Sequence, residues 1–199
     1  KHSVPGMPII LDAKWGDIDN TNNGYVEMAF DYLGVDAITV HPYMGQKSLQ
    51  LFLDRADKGI FVLCRTSNPG AGEFQDLSVF ADWSPSGQCP LYQYLAMKVA
   101  KDWNKKGNSG LVGGATCPDE LRAIRGIVGD MPILIPGIGA QGGDLVATLR
   151  AGVDTNGQGV LINSSRGIIF ASKDADFDMV ARREAEKLHN AITDILASK

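Results

Sequence analysis

The chain has 199 residues, of which 44% are apolar and 21% are charged, and its formal net charge is −4 at pH 7. This mild acidity argues against nucleic acid as the main partner, because no face can be assigned a dominant basic field. The apolar runs are too short to cross a bilayer, and the 3 cysteines form no CxxC pair that would indicate a zinc site. We therefore expect a cytoplasmic protein that binds neither a membrane nor nucleic acid.

Short apolar runs alternate with longer helical stretches along the whole sequence. The pattern predicts six strands, at residues 7–11, 37–40, 60–64, 111–112, 132–135 and 160–162. It predicts a helix after each of them, at residues 23–33, 46–56, 91–103, 118–128, 144–151 and 177–196. Strands that are apolar throughout are typical of a parallel sheet buried on both faces. We therefore predict an α/β protein with a TIM (β/α)8 barrel fold and a single domain over residues 1–199.

The number of strands is too small for a complete barrel. Eight units occupy roughly 250 residues, whereas six are found in 199. Because the sequence starts abruptly at Lys1, we expect the two absent units to precede it. The six strands would then be strands three to eight of an N-terminally incomplete barrel.

One long segment, residues 68–90, lies between the third strand and its helix and shows no clear periodicity. Loops of this length in a compact domain are usually lids or binding loops. Its apolar residues could close onto a ligand, so we predict a lid.

Three charged residues, Asp12, Lys14 and Asp17, follow the first predicted strand. Side chains alternate along extended backbone, so Asp12 and Lys14 face the same side at the carboxyl end of the strand, where barrels keep their active sites. A neighbouring carboxylate and ammonium hold each other charged. An exposed ion pair would stabilise the fold by at most about 1 kcal/mol. Three charges within six residues at the end of a strand favour a function instead.

Two loops are candidates for binding phosphate. Residues 136–143 (PGIGAQGG) lead into a helix, and their glycines let backbone N–H groups approach an anion. The spacing also matches a dinucleotide motif, but Asn163 stands where that motif requires an acid, so we reject that interpretation. Residues 163–167 (NSSRG) follow the last strand, and Arg166 can bind a phosphate through two hydrogen bonds. Loops after strands seven and eight are the usual phosphate site of barrels, which agrees with the strand count.

These motifs together resemble one enzyme family. The pattern Asp12-x-Lys14-x-x-Asp17-Ile18-x-x-Thr21 is similar to the signature of orotidine 5′-phosphate decarboxylases. Residues 65–72 (RTSNPGAG) resemble the strand-five loop of the bacterial branch, and residues 136–143 and Ser165-Arg166 resemble the two phosphate loops. The four motifs occur in the family's order along the chain.

The resemblance implies a carboxy-lyase of de novo pyrimidine biosynthesis, which converts orotidine 5′-phosphate to UMP and CO2 without a cofactor or a metal. It implies that Lys14 protonates C6, that Asp12 opposes the substrate carboxylate, and that Asp17 completes the catalytic set. It also implies a homodimer in which Asp17, Ile18 and Thr21 reach the other subunit's site. The implied substrate-binding residues are Ile18, Thr21, Ser67, Pro136, Ile138, Gly139, Gln141, Ser165 and Arg166.

Two alternatives remain open at this point. Magnesium-dependent sugar-phosphate decarboxylases and aldolases of the same suprafamily share the Asp-x-Lys-x-x-Asp core. A non-catalytic uridylate-binding subunit is the second alternative, because the family's strand-one Asp and strand-two Lys have no counterpart in residues 1–199.

Overall fold

A computed structural model describes residues 6–139 and 142–198. Six parallel strands form one sheet in the order β1-β2-β3-β6-β7-β8, and β4 and β5 form a separate antiparallel hairpin. The strands are β1 (Ile10–Trp15), β2 (Ala37–Val40), β3 (Gly59–Arg65), β4 (Ser78–Phe80), β5 (Gln88–Pro90), β6 (Ser109–Gly113), β7 (Ile133–Pro136) and β8 (Val160–Asn163).

Helices connect successive strands of the sheet. They are α1 (Asp19–Val26), α2 (Gln46–Leu53), α3 (Gly72–Gln75), α4 (Leu91–Lys98), α5 (Pro118–Val128), α6 (Leu145–Gly152), α7 (Ser165–Ile169) and α8 (Phe177–Ala197). Two π-helical segments, Glu27–Tyr32 and Val99–Trp103, extend α1 and α4. Each crossover between neighbouring parallel strands contains a helix, as the alternating sequence pattern predicts.

The apolar residues of the strands divide between two faces of the sheet. On β3, Ile60, Val62 and Cys64 belong to the large core beneath the helices. Phe61 and Leu63 alternate with them and join a smaller cluster with Val112 and Leu134 on the opposite face. Apolar residues cover both faces because both are packed, which explains why the strands lack polar alternation.

The sheet is open within the described residues. The edge strand β1 pairs with β2, the edge strand β8 pairs with β7, and the two edges do not pair with each other. The last helix, α8, packs against α6 and α7 and has no fully buried residue. Six βα units in one partial barrel agree with the prediction. The predicted position of the absent units, before Lys1, and the single-domain assignment stay predictions.

The first strand differs from its prediction at residues 7–11. The observed β1 runs from Ile10 to Trp15, so Asp12 and Lys14 lie within the strand and not after it. Charged side chains broke the apolar pattern from which the strand was predicted. The backbone nevertheless continues to pair with β2 as far as Trp15 and Val40.

The segment between β3 and α4 is more ordered than expected. It contains α3 and the β4–β5 hairpin, in which Val79 pairs with Cys89. The segment thus contains regular structure although its sequence shows no clear periodicity. Phe74, Leu77 and Phe80 are exposed. Its role as a lid stays a prediction.

Candidate active site

A cavity of about 510 Å³ opens at the carboxyl ends of the parallel strands. Apolar side chains from three strands, Leu63, Val112 and Leu134, line it beside the polar groups. The remaining lining residues come from strand ends and the loops that follow them: Asp12, Lys14, Thr66, Ser67, Asn68, Gln75, Pro136, Gly137, Ile138, Asn163, Ser165 and Arg166. Polar residues far apart in the sequence therefore share one cavity at the end of the sheet where barrels bind their ligands.

Asp12 and Lys14 form a close ion pair in this cavity. The Lys14 ammonium donates to both Asp12 carboxylate oxygens at 2.6 Å. Both side chains are about half exposed, 49% for Lys14 and 59% for Asp12. Such a pair adds little to stability. It fixes a positive and a negative group at the same point of the cavity wall, as the spacing predicted.

The backbone at Lys14 has an unusual conformation. Its φ is +54°, in the left-handed region that non-glycine residues seldom adopt. The pairing of β1 with β2 also shifts register between Leu11 and Trp15. Strained backbone of this kind persists where the surrounding structure holds it, often at functional sites.

The loop after β7 brings glycine backbone to the cavity. Gly137 and Gly139 have φ of +108° and +82°, which a side chain would disfavour. A Cβ on Gly143 would lie 2.8 Å from the Gly137 carbonyl oxygen, so only glycine permits this close approach. Asp144 caps α6 by accepting from the N–H groups of Val146 and Ala147. These two N–H groups of the helix N-terminus are therefore already bonded to Asp144. The N–H groups of the loop backbone are then the better candidates for binding an anion.

The loop after β8 contributes Arg166. It lies at the start of the short helix α7 and lines the cavity with Ser165 and Asn163. Ser165 Oγ donates to Asn163 Oδ1 at 3.2 Å. Within the described part of the chain, Arg166 forms no ion pair. A guanidinium without a protein carboxylate is suited to a ligand anion.

The loop after β3 is fixed at its base by an ion pair between a buried arginine and an exposed aspartate. Arg65 is only 9% exposed and donates through Nε and Nη2 to the Asp76 carboxylate at 2.8 and 3.0 Å. Gln75 accepts from the Thr66 N–H at 2.9 Å. Ser67, one of the implied substrate-binding residues, therefore lies on a segment of the cavity wall that these contacts hold in place.

The predicted site residues fall into three groups. Most of them line the cavity: Asp12, Lys14, Ser67, Pro136, Ile138, Ser165 and Arg166. Asp17, Ile18, Thr21 and Gly139 are not among its lining residues, and Ile18 is 57% exposed. Gln141 lies outside the described residues. The roles assigned to individual residues stay predictions.

Sequence patterns missed part of the cavity. Six residues that line it were not among the site residues implied by the sequence: Leu63, Thr66, Asn68, Gln75, Val112 and Leu134. Leu63 could have been predicted from the alternation of side chains along β3, because it faces the opposite side of the strand from Val62 and Cys64. Gln75 carries no such signal, because a folded loop brings it to the cavity. Thr39 is also missed; it is the polar residue in an otherwise apolar strand, and it contacts Asp12.

Cys64 takes no part in the site. Its side chain is buried, and its Sγ lies 3.2 Å from the Tyr92 carbonyl oxygen. Burial raises the pKa of the Cys64 thiol to about 12. The thiol is therefore protonated and unreactive at neutral pH, as expected for a core residue.

Two further searches concern metals and membranes. Residues 6–139 and 142–198 contain no cluster of three or more His, Cys, Asp or Glu side chains that could hold a metal ion. Over the same residues, no helix combines the length and apolarity that a bilayer span requires. The expected absence of a metal stays a prediction.

Fold and site together define a class: a partial α/β-barrel with an ion pair and a candidate phosphate-binding arginine at the carboxyl ends of its strands. Comparison with known proteins narrows that class. The family described as "Orotidine 5'-phosphate decarboxylase / HUMPS family" matches residues 1–176. The chain belongs to this family.

The individual matches extend along nearly the whole chain. An orotidine 5′-phosphate decarboxylase of Janthinobacterium sp. is 51% identical over 99% of this chain and 70% of that protein. One of Ralstonia pickettii is 52% identical over 92% and 65%. The solved UMP synthase of Leishmania donovani has a TM-score of 0.83 and 45% identity over 96% of this chain and 40% of that one. The predicted family and barrel fold are thus confirmed, and the chain spans about two thirds of the length of its curated relatives.

Proposed function

We propose that the chain carries the decarboxylating site of an orotidine 5′-phosphate decarboxylase, which forms UMP and CO2 in pyrimidine biosynthesis. One observation carries the proposal: the Lys14 ammonium, held 2.6 Å from both Asp12 oxygens, shares a cavity with Arg166. An acid for the reacting carbon and a cation for the phosphate thus line one space. The names of relatives about 50% identical support the same activity.

The chemistry needs a positive charge at the reacting carbon. When the bond from C6 to the carboxylate breaks, its electron pair stays on C6 and neutral CO2 leaves. The pair lies in the plane of the ring, where the π-system cannot delocalise it. Lys14 stabilises this charge and then transfers a proton from Nζ to C6, so the amine is left neutral and regains a proton from water.

Asp12 acts on the ground state. Its carboxylate repels the carboxylate of the bound substrate, and this repulsion vanishes as CO2 becomes neutral. The same carboxylate accepts from the Lys14 ammonium and holds it at the cavity wall. Of the two effects on the reaction, the Lys14 charge and proton are the larger.

One lysine supplies only part of the rate. A general acid contributes about 10²–10⁴-fold, whereas the upper end of ordinary enzymes corresponds to about 23 kcal/mol of barrier lowering. The remainder must come from binding energy gained away from the reacting carbon. Arg166 and the backbone of Gly137 and Ile138 supply it by binding the phosphate, with the segment after β3 excluding water.

The assembly we propose is a homodimer in the cytoplasm. Ile18 and Thr21 are exposed, and together with Asp17 they lie outside the cavity of their own subunit. The buried Asn22 side chain holds this turn by accepting from the Asp17 N–H and donating to the Asp17 carbonyl oxygen. A rigid turn that serves no residue of its own cavity fits a role in the partner's site.

The test is to follow the ultraviolet absorbance of orotidine 5′-phosphate as the purified protein converts it to UMP. We expect conversion that continues in EDTA. Conversion that EDTA abolishes and magnesium restores would show a metal-dependent site. No conversion of orotidine 5′-phosphate, with magnesium-dependent turnover of a sugar phosphate, would identify the sugar-phosphate alternative. Binding of UMP without any turnover would identify a uridylate-binding subunit and overturn the proposal.

A further inference from the structure

Thr39 is a buried polar residue at the centre of β2. Its relative exposure is 0%, and its neighbours Ile38 and Val40 are apolar and equally buried. Thr39 does not line the cavity, so it is not placed to touch a ligand. A hydroxyl in such surroundings is costly unless it forms hydrogen bonds.

The Thr39 hydroxyl forms two hydrogen bonds, and both go to the ion pair. Its Oγ accepts from the backbone N–H of Lys14 at 2.9 Å and donates to Asp12 Oδ1 at 2.9 Å. One buried atom therefore contacts the backbone of the proposed acid and the carboxylate of its partner.

The register of the sheet explains why a hydroxyl is needed here. Leu11 pairs with Ile38 and Trp15 pairs with Val40, so β1 advances four residues while β2 advances two. The extra residues form a bulge, which removes backbone groups from the regular ladder. Thr39 stands opposite this bulge and provides the acceptor that the Lys14 N–H requires. The hydroxyl thereby supports the φ of +54° at Lys14.

We propose that Thr39 is a positioning residue for decarboxylation, which fixes the Asp12–Lys14 pair through its hydroxyl. This inference rests on the proposed function. Without the hydroxyl, the Lys14 backbone loses its acceptor and Asp12 loses the donor that orients its carboxylate. Both reacting groups then leave the geometry in which they face the substrate. A displacement near 1 Å at reacting groups can cost about 10²-fold in rate.

The experiment compares Thr39→Val with Thr39→Ser. Valine keeps the shape and removes the hydroxyl, whereas serine keeps the hydroxyl and removes the methyl group. We expect Thr39→Val to lower kcat by roughly 10- to 100-fold with KM changed by less than about threefold. Thr39→Ser should recover kcat to within about threefold of the unsubstituted protein.

Thr148→Val is the matched control. Thr148 is also 0% exposed, and its hydroxyl donates to the Ala115 carbonyl oxygen at 3.4 Å, away from the ion pair. This variant should lose stability but keep kcat. An equal loss of kcat in Thr148→Val, or a Thr39→Ser variant as slow as Thr39→Val, would show a general packing effect and overturn the inference. Unchanged kcat in Thr39→Val would overturn it as well.

A structural measurement separates this inference from the proposed function. Crystal structures of the three proteins should show positive φ at Lys14 and the Asp12 contact in the unsubstituted protein and Thr39→Ser, and their loss in Thr39→Val. If the unsubstituted protein bound UMP but turned over no substrate, the proposed function would fail while the crystal structures still tested Thr39. Identical backbone and carboxylate positions in all three structures would refute the positioning role.

Discussion

Two arginines at opposite ends of the sheet show how this fold divides structural from functional groups. Arg125 on α5 is 9% exposed and donates to the carbonyl oxygens of Gly129, Met131, Gly152 and Gly159 at 2.5–2.8 Å.

Burial lowers the pKa of the Arg125 guanidinium, and the nearby Asp130 and Asp154 oppose that shift. Arg166 is exposed in the cavity and forms no ion pair within the described residues. A guanidinium whose donors are taken by carbonyls can only hold the fold together, whereas one with unused donors can bind an anion.

The largest expected effect on activity is at the cavity at the carboxyl ends of the strands, for the substitution Lys14→Ala. We expect kcat to fall about 10²- to 10⁴-fold, because the acid and the positive charge at C6 are removed. UMP should still bind, and the melting temperature should change little since the ion pair is half exposed.

Steady-state kinetics, UMP titration and thermal unfolding measure these three quantities. Lys47→Ala, on the exposed face of α2, is the matched control and should retain full activity. A Lys14→Ala variant with more than about a tenth of the normal rate would contradict the role of Lys14.

The difference between buried structural residues and polar site residues also determines how much could be predicted from the sequence. Apolar runs identified five of the six sheet strands within a few residues, because these strands carry apolar side chains on both faces, although β8 at the edge of the sheet is only partly buried. The charged spacing identified Asp12 and Lys14, and the glycine and serine loops identified Arg166. Local sequence could not show the bulge in β1 or the β4–β5 hairpin, since both depend on pairing with residues elsewhere. Thr39 was not predicted for the same reason, because its role depends on contacts with the neighbouring strand β1.

At the amino end of the sheet, the substitution Arg125→Met should lower stability and leave activity unchanged. The free energy of unfolding should fall by about 2–4 kcal/mol, because four backbone carbonyl groups lose a charged donor. The kcat of the folded fraction at 25 °C should stay within about twofold of normal.

Denaturant unfolding and steady-state kinetics check this pair of expectations. Arg122→Met, on the same helix, is the control: its Arg122–Asp119 ion pair is exposed, so the loss should be below about 0.5 kcal/mol. Equal losses of unfolding free energy in both variants would mean that the Arg125 hydrogen bonds stabilise the fold no more than the exposed Arg122–Asp119 ion pair does.

A smaller effect is expected for Arg166→Ala. Affinity for UMP should fall by roughly 10- to 100-fold, the value of a hydrogen-bonded contact to a charged group. Affinity for uridine, which lacks the phosphate, should not change, and neither should stability.

Calorimetric titration with both ligands measures this, with Arg150→Ala on the exposed face of α6 as the matched control. Unchanged UMP affinity in Arg166→Ala would place the phosphate elsewhere in the cavity.

The smallest effect concerns Cys64 and appears only at alkaline pH. The thiol has a pKa of about 12 in the fold, against about 8.5 in the unfolded chain. Because the folded pKa is the higher one, the stabilisation is complete below about pH 8.5 and is lost as pH rises toward 12. Between pH 8 and 10 this group should lower the free energy of unfolding by about 1–2 kcal/mol.

Denaturant unfolding at several pH values compares the protein with Cys64→Ala, which removes this one contribution and leaves the other titrating groups in place. The partly exposed Cys117 provides the control, since Cys117→Ala should keep the full alkaline loss. If Cys64→Ala lost stability with pH as steeply as the unsubstituted protein, the thiol would not be held protonated by burial. Cys64 would then no longer belong with Arg125 among the groups that the fold shields from solvent.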